Sequence, residues 1–221
     1  MNLGKISAGL LLLGITLSIA VGSRAQVIAQ SGGAAPTASV KTVMDQAIAV
    51  FKDRTIAPAD REKKLRAIAE GHFDFERMAR SAVGIHWRDF SQSQRAEFVP
   101  LFTNFIEDVY LSRMEDYSVE KVQQDIQSAN IQFTKERMDA PDLAVVFSEV
   151  TLPSRAKPLD VNYLMKRDAD EWKIYDLTID AISVIANYRN QFNRVLNEGG
   201  YDKLTAIMRQ KQQALGASMA H

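Results

Sequence analysis

Leu143-Ala144-Val145-Val146-Phe147-Ser148-Glu149-Val150 is the stretch that sets the architecture. Leu143, Val145, Phe147 and Glu149 alternate with Ala144, Val146, Ser148 and Val150, the period of two that belongs to a β-strand. Leu159, Val161, Tyr163 and Met165 then alternate with Asp160, Asn162, Leu164 and Lys166. After the polar tip Asp168-Ala169-Asp170-Glu171, Trp172, Ile174 and Tyr175 open a further strand. Upstream, Ile131, Phe133 and Lys135 begin an earlier run that turns at Pro141-Asp142, and Pro153 and Pro158 bracket the remaining turn. No helical pattern separates these runs. Their hairpin-length links predict an antiparallel meander of about four strands.

On both sides of the meander the period becomes 3.6. Before it, Phe98, Phe102, Phe105 and Val109 share one helix face, widened by Leu101, Ile106 and Tyr110. Ser91-Gln92-Ser93-Gln94 reads as a capping box that starts this helix, and Pro100 predicts a kink inside it. After the meander, Tyr188, Phe192, Val195 and Leu196 repeat the same spacing. Shorter amphipathic helices precede them: one through Val40, Val43, Met44, Ala47, Val50 and Phe51, one from Pro58 to near Gly71, and one capped by Asp74. The fold class is α+β: a curved antiparallel sheet covered on one face by N- and C-terminal helices. Aromatic-rich helices against a sheet make either an ordinary core or the wall of an apolar cavity.

Lys5 precedes an uncharged stretch over residues 6–23, and Ser23-Arg24-Ala25 supplies small residues for cleavage after Ala25, with a second site after Ala29. Residues 1–25 therefore read as a secretory signal peptide, which makes the mature chain an exported, non-spanning protein, with an uncleaved membrane anchor as the alternative. Residues 26–39 read as a flexible leader, 40–210 as a single domain and 211–221 as a frayed tail. Removing Lys5 and Arg24 leaves 25 basic against 27 acidic residues, which excludes the basic footprint of a nucleic-acid binder. With no cysteine, neither disulfides nor an acyl-anchored lipoprotein is available, and stability must come from the core.

Catalytic patterns are missing. His72, His86 and His221 lie at no metal-ligand spacing, and no nucleophile motif or Gly-rich phosphate loop occurs. His86 beside Trp87 is the single general-base candidate, and a packed helix-end histidine reads better. The carboxylate pairs Glu107/Asp108, Glu115/Asp116 and Asp168/Asp170 read as solvated surface. Arg189 is expected to form a structural ion pair with Asp176 or Asp180.

A longer constellation goes beyond periodicity. It comprises Phe73-Asp74-Phe75, Val83-Gly84-Ile85-His86-Trp87-Arg88, Ser91 to Phe98, Val161-Asn162-Tyr163, Trp172-Lys173-Ile174-Tyr175-Asp176 and Asn187-Tyr188-Arg189-Asn190-Gln191-Phe192. In this order it resembles the MlaC (toluene-tolerance) family of periplasmic lipid carriers. The family usually has Gly before the hydrophobic-Ser pair after the last strand, where this chain has Asp180-Ala181-Ile182-Ser183. That departure puts the turn geometry in question and is compatible with a hopanoid-associated branch. The resemblance implies a non-enzymatic, cofactor-free shuttle that exchanges phospholipid with an outer-membrane lipoprotein complex and an inner-membrane ABC transporter complex, with the acyl chains held between sheet and helices.

Physical chemistry supports a cavity beside that resemblance. Exposing an acyl chain costs about 0.8 kcal/mol per methylene, so two sixteen-carbon tails cost roughly 25 kcal/mol in water. The candidate lipid-binding residues are Val145, Phe147, Val161, Tyr163, Trp172 and Ile174 from the sheet and Phe102, Phe105, Val109 and Tyr188 from the helices. Each also reads as plain core. Two other functions stand beside the carrier: a small-molecule enzyme resting on His86, and an envelope interaction protein with a filled core. A carrier for another lipid, such as a hopanoid, is a variant of the first.

Overall fold

Pro36 stands at the first helical position of α1 (Pro36–Lys52), where its missing N–H costs nothing. The computed structural model describes residues 35–116, 125 and 128–218; the signal peptide, its cleavage sites and most of the leader lie outside these. α1 thus starts four residues before Val40, within the stretch expected to be leader. α2 (Pro58–His72) again opens on proline. α3 (Phe75–Val83) is capped by Asp74, whose Oδ1 accepts the Arg77 N–H at 2.9 Å. A 3₁₀ turn (Gly84–Arg88) leads to α4 (Gln92–Asp116). The capping box forms as expected: Gln94 N–H donates to Ser91 Oγ at 3.1 Å, and Ser91 N–H donates to Gln94 Oε1 at 2.8 Å. α4 runs unbroken through Pro100.

Five strands follow in the antiparallel order β1 (Asn130–Ala140), β2 (Leu143–Thr151), β3 (Leu159–Asp168), β4 (Glu171–Ile179) and β5 (Ile182–Ser183). The fifth, two residues long, is the one beyond the expected meander. α5 (Val184–Ser218) closes the chain and bends at Gly199-Gly200, where Gly200 takes φ 65°. Residues 211–218, expected to fray, continue this helix, while 219–221 lie outside the described residues.

The strand register decides which side chains meet the helices. Val146 pairs with Tyr163 and Ser148 with Val161, whereas Val145 pairs with Leu164 and Phe147 with Asn162. Directly opposed residues share a face, so these are two opposite faces. Ala144, Val146, Val150, Val161, Tyr163 and Met165 join the buried core, together with Trp172, Ile174 and Leu177 from β4. Phe147 turns the other way and carries the Lys135 ammonium 5.8 Å and the Arg137 guanidinium 5.4 Å from its ring centroid. α1 is pinned to the sheet where Glu136 Oε2 accepts the Thr37 N–H at 2.9 Å and its hydroxyl at 2.6 Å.

The aromatic faces of α4 and α5 meet ring against ring. Phe98 lies 6.0 Å from Phe102, Phe102 6.4 Å from Phe192, Phe192 6.3 Å from Phe105, and Phe105 5.9 Å from Tyr188. The edge-on angles of 86° for Phe102–Phe192 and 80° for Phe105–Tyr188 suit the ring quadrupoles. Phe90 and Tyr201 extend the row, 4.9 Å apart. Arg189 does not pair with Asp176 or Asp180. Its side chain passes over Gly84, and Nε donates to Ser81 O at 2.7 Å. Asp180 instead approaches Arg155 at 3.9 Å, and Asp176 serves the start of α5.

Candidate functional site: an apolar cavity under the second helix

An apolar cavity lies among the N-terminal helices and the end of the sheet. α1 contributes Val43, Met44 and Ala47, and α2 contributes Leu65, Arg66, Ile68 and Ala69. α4 adds Ile106, Glu107 and Tyr110, α3 adds Phe75 and Met78, and Phe73, Leu177 and Val184 complete the wall. The helical contributors fall at spacings of one, three and four, so each helix presents one stripe to the space. The cavity measures about 100 Å³, within about 820 Å³ of atom-free space that includes its mouth.

Backbone pairing fixes the floor. Phe73 bridges Ile174 on the free edge of β4, and the Asp74 N–H donates to Ile174 O at 2.9 Å. The Phe73 and Phe75 rings stack with centroids 5.9 Å apart. A bulge in β4 turns Asp176 toward the start of α5. There Asp176 accepts the Leu177 N–H at 2.8 Å, the Ser183 hydroxyl at 2.5 Å and the Ile185 N–H at 3.1 Å. Ser183 Oγ in turn accepts the Ala186 N–H at 2.8 Å, which caps α5 and positions Val184 at the cavity.

One polar group interrupts the apolar wall. Arg66 donates from Nη1 to Glu107 Oε2 at 2.7 Å, from Nη2 to Asp108 Oδ1 at 2.6 Å, and from Nε and Nη2 to Glu62 Oε1 at 2.9 and 2.7 Å. Asp108 also accepts Gln212 Nε2 at 2.9 Å, which ties α5 to the same cluster. Glu107 is 5 % exposed, and its Oε1 is buried without a hydrogen-bond donor. The sequence expectation of a solvated Glu107/Asp108 pair is therefore wrong. The partner that draws Glu107 inward is 41 residues away and shows in no local pattern. Asp170 does stay at the surface, and the side chains of Glu115 and Asp116 lie outside those described.

The charges in the cluster are unequal. Burial opposes the Arg66 charge, but the hydrogen bonds to Asp108, Glu62 and Glu107 outweigh it and hold the guanidinium above its ordinary range. For Glu107 burial dominates and raises the carboxyl pKa; Arg66 pulls the other way, while Glu70 and Asp108 add repulsion. Arg66 faces several carboxylates, whereas Glu107 has one guanidinium.

None of the ten residues expected to bind lipid lines this cavity. Phe102, Phe105 and Tyr188 sit in the packed α4–α5 seam with Val109 buried on the same helix. Phe105 also borders a void of about 10 Å³ with Phe192, Val195 and Leu204. Val161, Tyr163, Trp172 and Ile174 are buried on the helix-facing side of the sheet, where burial pushes the Tyr163 phenol up to about 12. Val145 and Phe147 are on the opposite face. The lining residues that the sequence did not single out come from every contributing element; those of α2, Leu65, Arg66, Ile68 and Ala69, carry no aromatic signal. His86 is not at the cavity either: its Nε2 lies 2.8 Å from Asn193 Oδ1.

The fold is an antiparallel sheet covered by helices, with an apolar cavity among them. Among the described residues, no helix is long and apolar enough to cross a membrane. The MlaC protein family matches residues 41–210, and the chain belongs to that family. Its fold is that of a phospholipid-binding protein from Ralstonia solanacearum solved in complex with a phospholipid: 21% identity, TM-score 0.68, with 83% of this chain and 99% of that chain covered. No curated protein sequence matches the chain.

Proposed function

We propose that this protein is a periplasmic phospholipid carrier that shelters acyl chains in the cavity beneath α2 and shuttles lipid between an outer-membrane lipoprotein complex and an inner-membrane ABC transporter complex. The observation that carries the reading is the cavity itself, almost wholly aliphatic and aromatic, in a chain of this family. The Ralstonia relative's bound phospholipid supports the same ligand class. At about 100 Å³ the cavity is far smaller than two acyl tails, so loading requires the helices to part. α2 is the element that moves, because Leu65 is its one buried hydrophobic residue. Contact with Phe102, Phe105, Val109 and Tyr188, or with Val161, Tyr163, Trp172 and Ile174, then requires the space to extend into the core behind it.

Native mass spectrometry and organic extraction of the secreted, purified protein test this. Stoichiometric phospholipid is the expected result. A protein that stays lipid-free after incubation with phospholipid vesicles refutes the carrier and leaves the envelope interaction protein. A hopanoid in place of phospholipid redirects the ligand and keeps the carrier.

A further inference from the structure

α2 is fastened at both ends. Before it, Asp53 Oδ1 accepts the Thr55 N–H at 2.9 Å and its hydroxyl at 2.6 Å, and Arg61 Nη2 donates to Asp53 O and Ile56 O, each at 3.3 Å. After it, Phe73 bridges Ile174, and His72 Nε2 lies 2.9 Å from Gln46 Oε1 of α1. Between these anchors α2 packs on α1 and lines the cavity that it shares with α4. Arg66, near the midpoint, reaches across: Nη1 and Nη2 donate to Glu107 and Asp108 of α4, and Asp108 also accepts from Gln212 of α5. An ion cluster beside apolar surface contributes little that a well-packed hydrophobic residue would not. What it adds is direction, because hydrogen bonds weaken steeply with distance and angle, so the link is either made or broken.

We propose that Arg66 is a latch. While its bonds to Glu107 and Asp108 are made, α2 is a closed strap over the cavity; when they break, the middle of α2 lifts and lipid enters or leaves. The inference rests on the carrier reading and assigns the step that limits exchange.

Protein loaded with a fluorescent phospholipid is mixed with acceptor vesicles, and the rate of transfer is read. Arg66→Met/Glu107→Gln removes the latch without stranding a buried charge. It is expected to release lipid about tenfold faster than wild type, the factor of one charge-assisted hydrogen bond. Arg209→Met, which breaks the Arg209–Glu97 pair between α5 and α4, is expected to leave the rate unchanged. For the converse, Glu62 and Asp108 accept from the same Arg66 Nη2 at 2.7 and 2.6 Å, and the chain has no cysteine of its own. Glu62→Cys/Asp108→Cys therefore admits a short bis-methanethiosulfonate bridge from α2 to α4. Bridged protein is expected to hold its lipid and to release it once a reductant cuts the bridge. Release by the Arg66 double variant at the wild-type rate overturns the latch. Release that the bridge does not slow overturns the strap and the latch with it. Where the double variant fails to fold, Arg66→Lys decides by the same criterion, since it keeps the charge and loses the fork that reaches both carboxylates. Wild-type protein that loads no lipid at all refutes the carrier reading itself.

Discussion

At Arg66 a single side chain holds two helices together, so its removal exposes what the cluster contributes. Arg66→Met leaves Glu107 buried and unpaired, a change that costs about 3–5 kcal/mol. Adding Glu107→Gln removes the stranded charge and is expected to recover most of that loss. Urea unfolding of the four members of this cycle measures the coupling, and a loss that the second substitution leaves untouched contradicts the pairing. Glu107 also fixes a pH dependence. Its native pKa is raised by burial, so the native state holds its proton longer than the unfolded chain does. Stability from this group is full below the unfolded carboxyl pKa and falls as pH rises through the native one. The melting temperature of Glu107→Gln relative to wild type is accordingly expected to climb from acid toward neutral pH. In the turn between β4 and β5, Asp180 and Ala181 take φ 49° and 66°. Ala181 thus adopts the left-handed conformation that a glycine takes freely. Ala181→Gly is expected to stabilise the fold by about 1 kcal/mol in the same unfolding assay.

Elements differ in how openly the sequence declares them. The capping box of α4, the Asp74 cap of α3 and the strand alternation are local, and local spacing revealed them. The face of a strand is not local where both rows are apolar. The row of Leu143, Val145 and Phe147 is bulkier as a whole than that of Ala144, Val146 and Ser148, yet the smaller row meets the helices, because β3 opposes it with Tyr163 and Val161. The aromatic helices were legible as a pair, but their rings fill the seam and leave the larger space elsewhere. α2 was legible as a helix and silent as a wall, since none of its cavity residues, Leu65, Arg66, Ile68 and Ala69, is aromatic. These two helices should therefore respond oppositely to truncation. Phe102→Ala removes a fully buried ring and is expected to cost about 3–5 kcal/mol of stability. Ile68→Ala, at the edge of the cavity, is expected to cost far less and to release lipid faster, read by transfer of a fluorescent phospholipid to acceptor vesicles. Equal stability losses at the two positions contradict the division into a packed seam and a movable wall.

For the whole molecule, the distribution of packing ties stability to cargo. The sheet, α3, α4 and α5 form one continuous core, whereas α2 rests on Leu65 and the Arg66 cluster above a cavity of about 100 Å³. An empty carrier forgoes the contacts that lipid tails supply there, and water is a poor replacement in a space lined almost wholly by apolar surface. A ligand that binds the folded state alone stabilises it by about 2.7 kcal/mol at a free concentration one hundred times its dissociation constant. For a domain of this size that corresponds to a rise of roughly 5–10 °C in melting temperature. Delipidated protein is thus expected to melt lower than lipid-loaded protein by that margin. Amide exchange should place the difference in α2 and its neighbours, with the α4–α5 seam equally protected in both forms. Protection gained first in the α4–α5 seam would instead put the tails among Phe102, Phe105 and Tyr188, and the aromatic helices rather than α2 would then be the lipid-bearing wall.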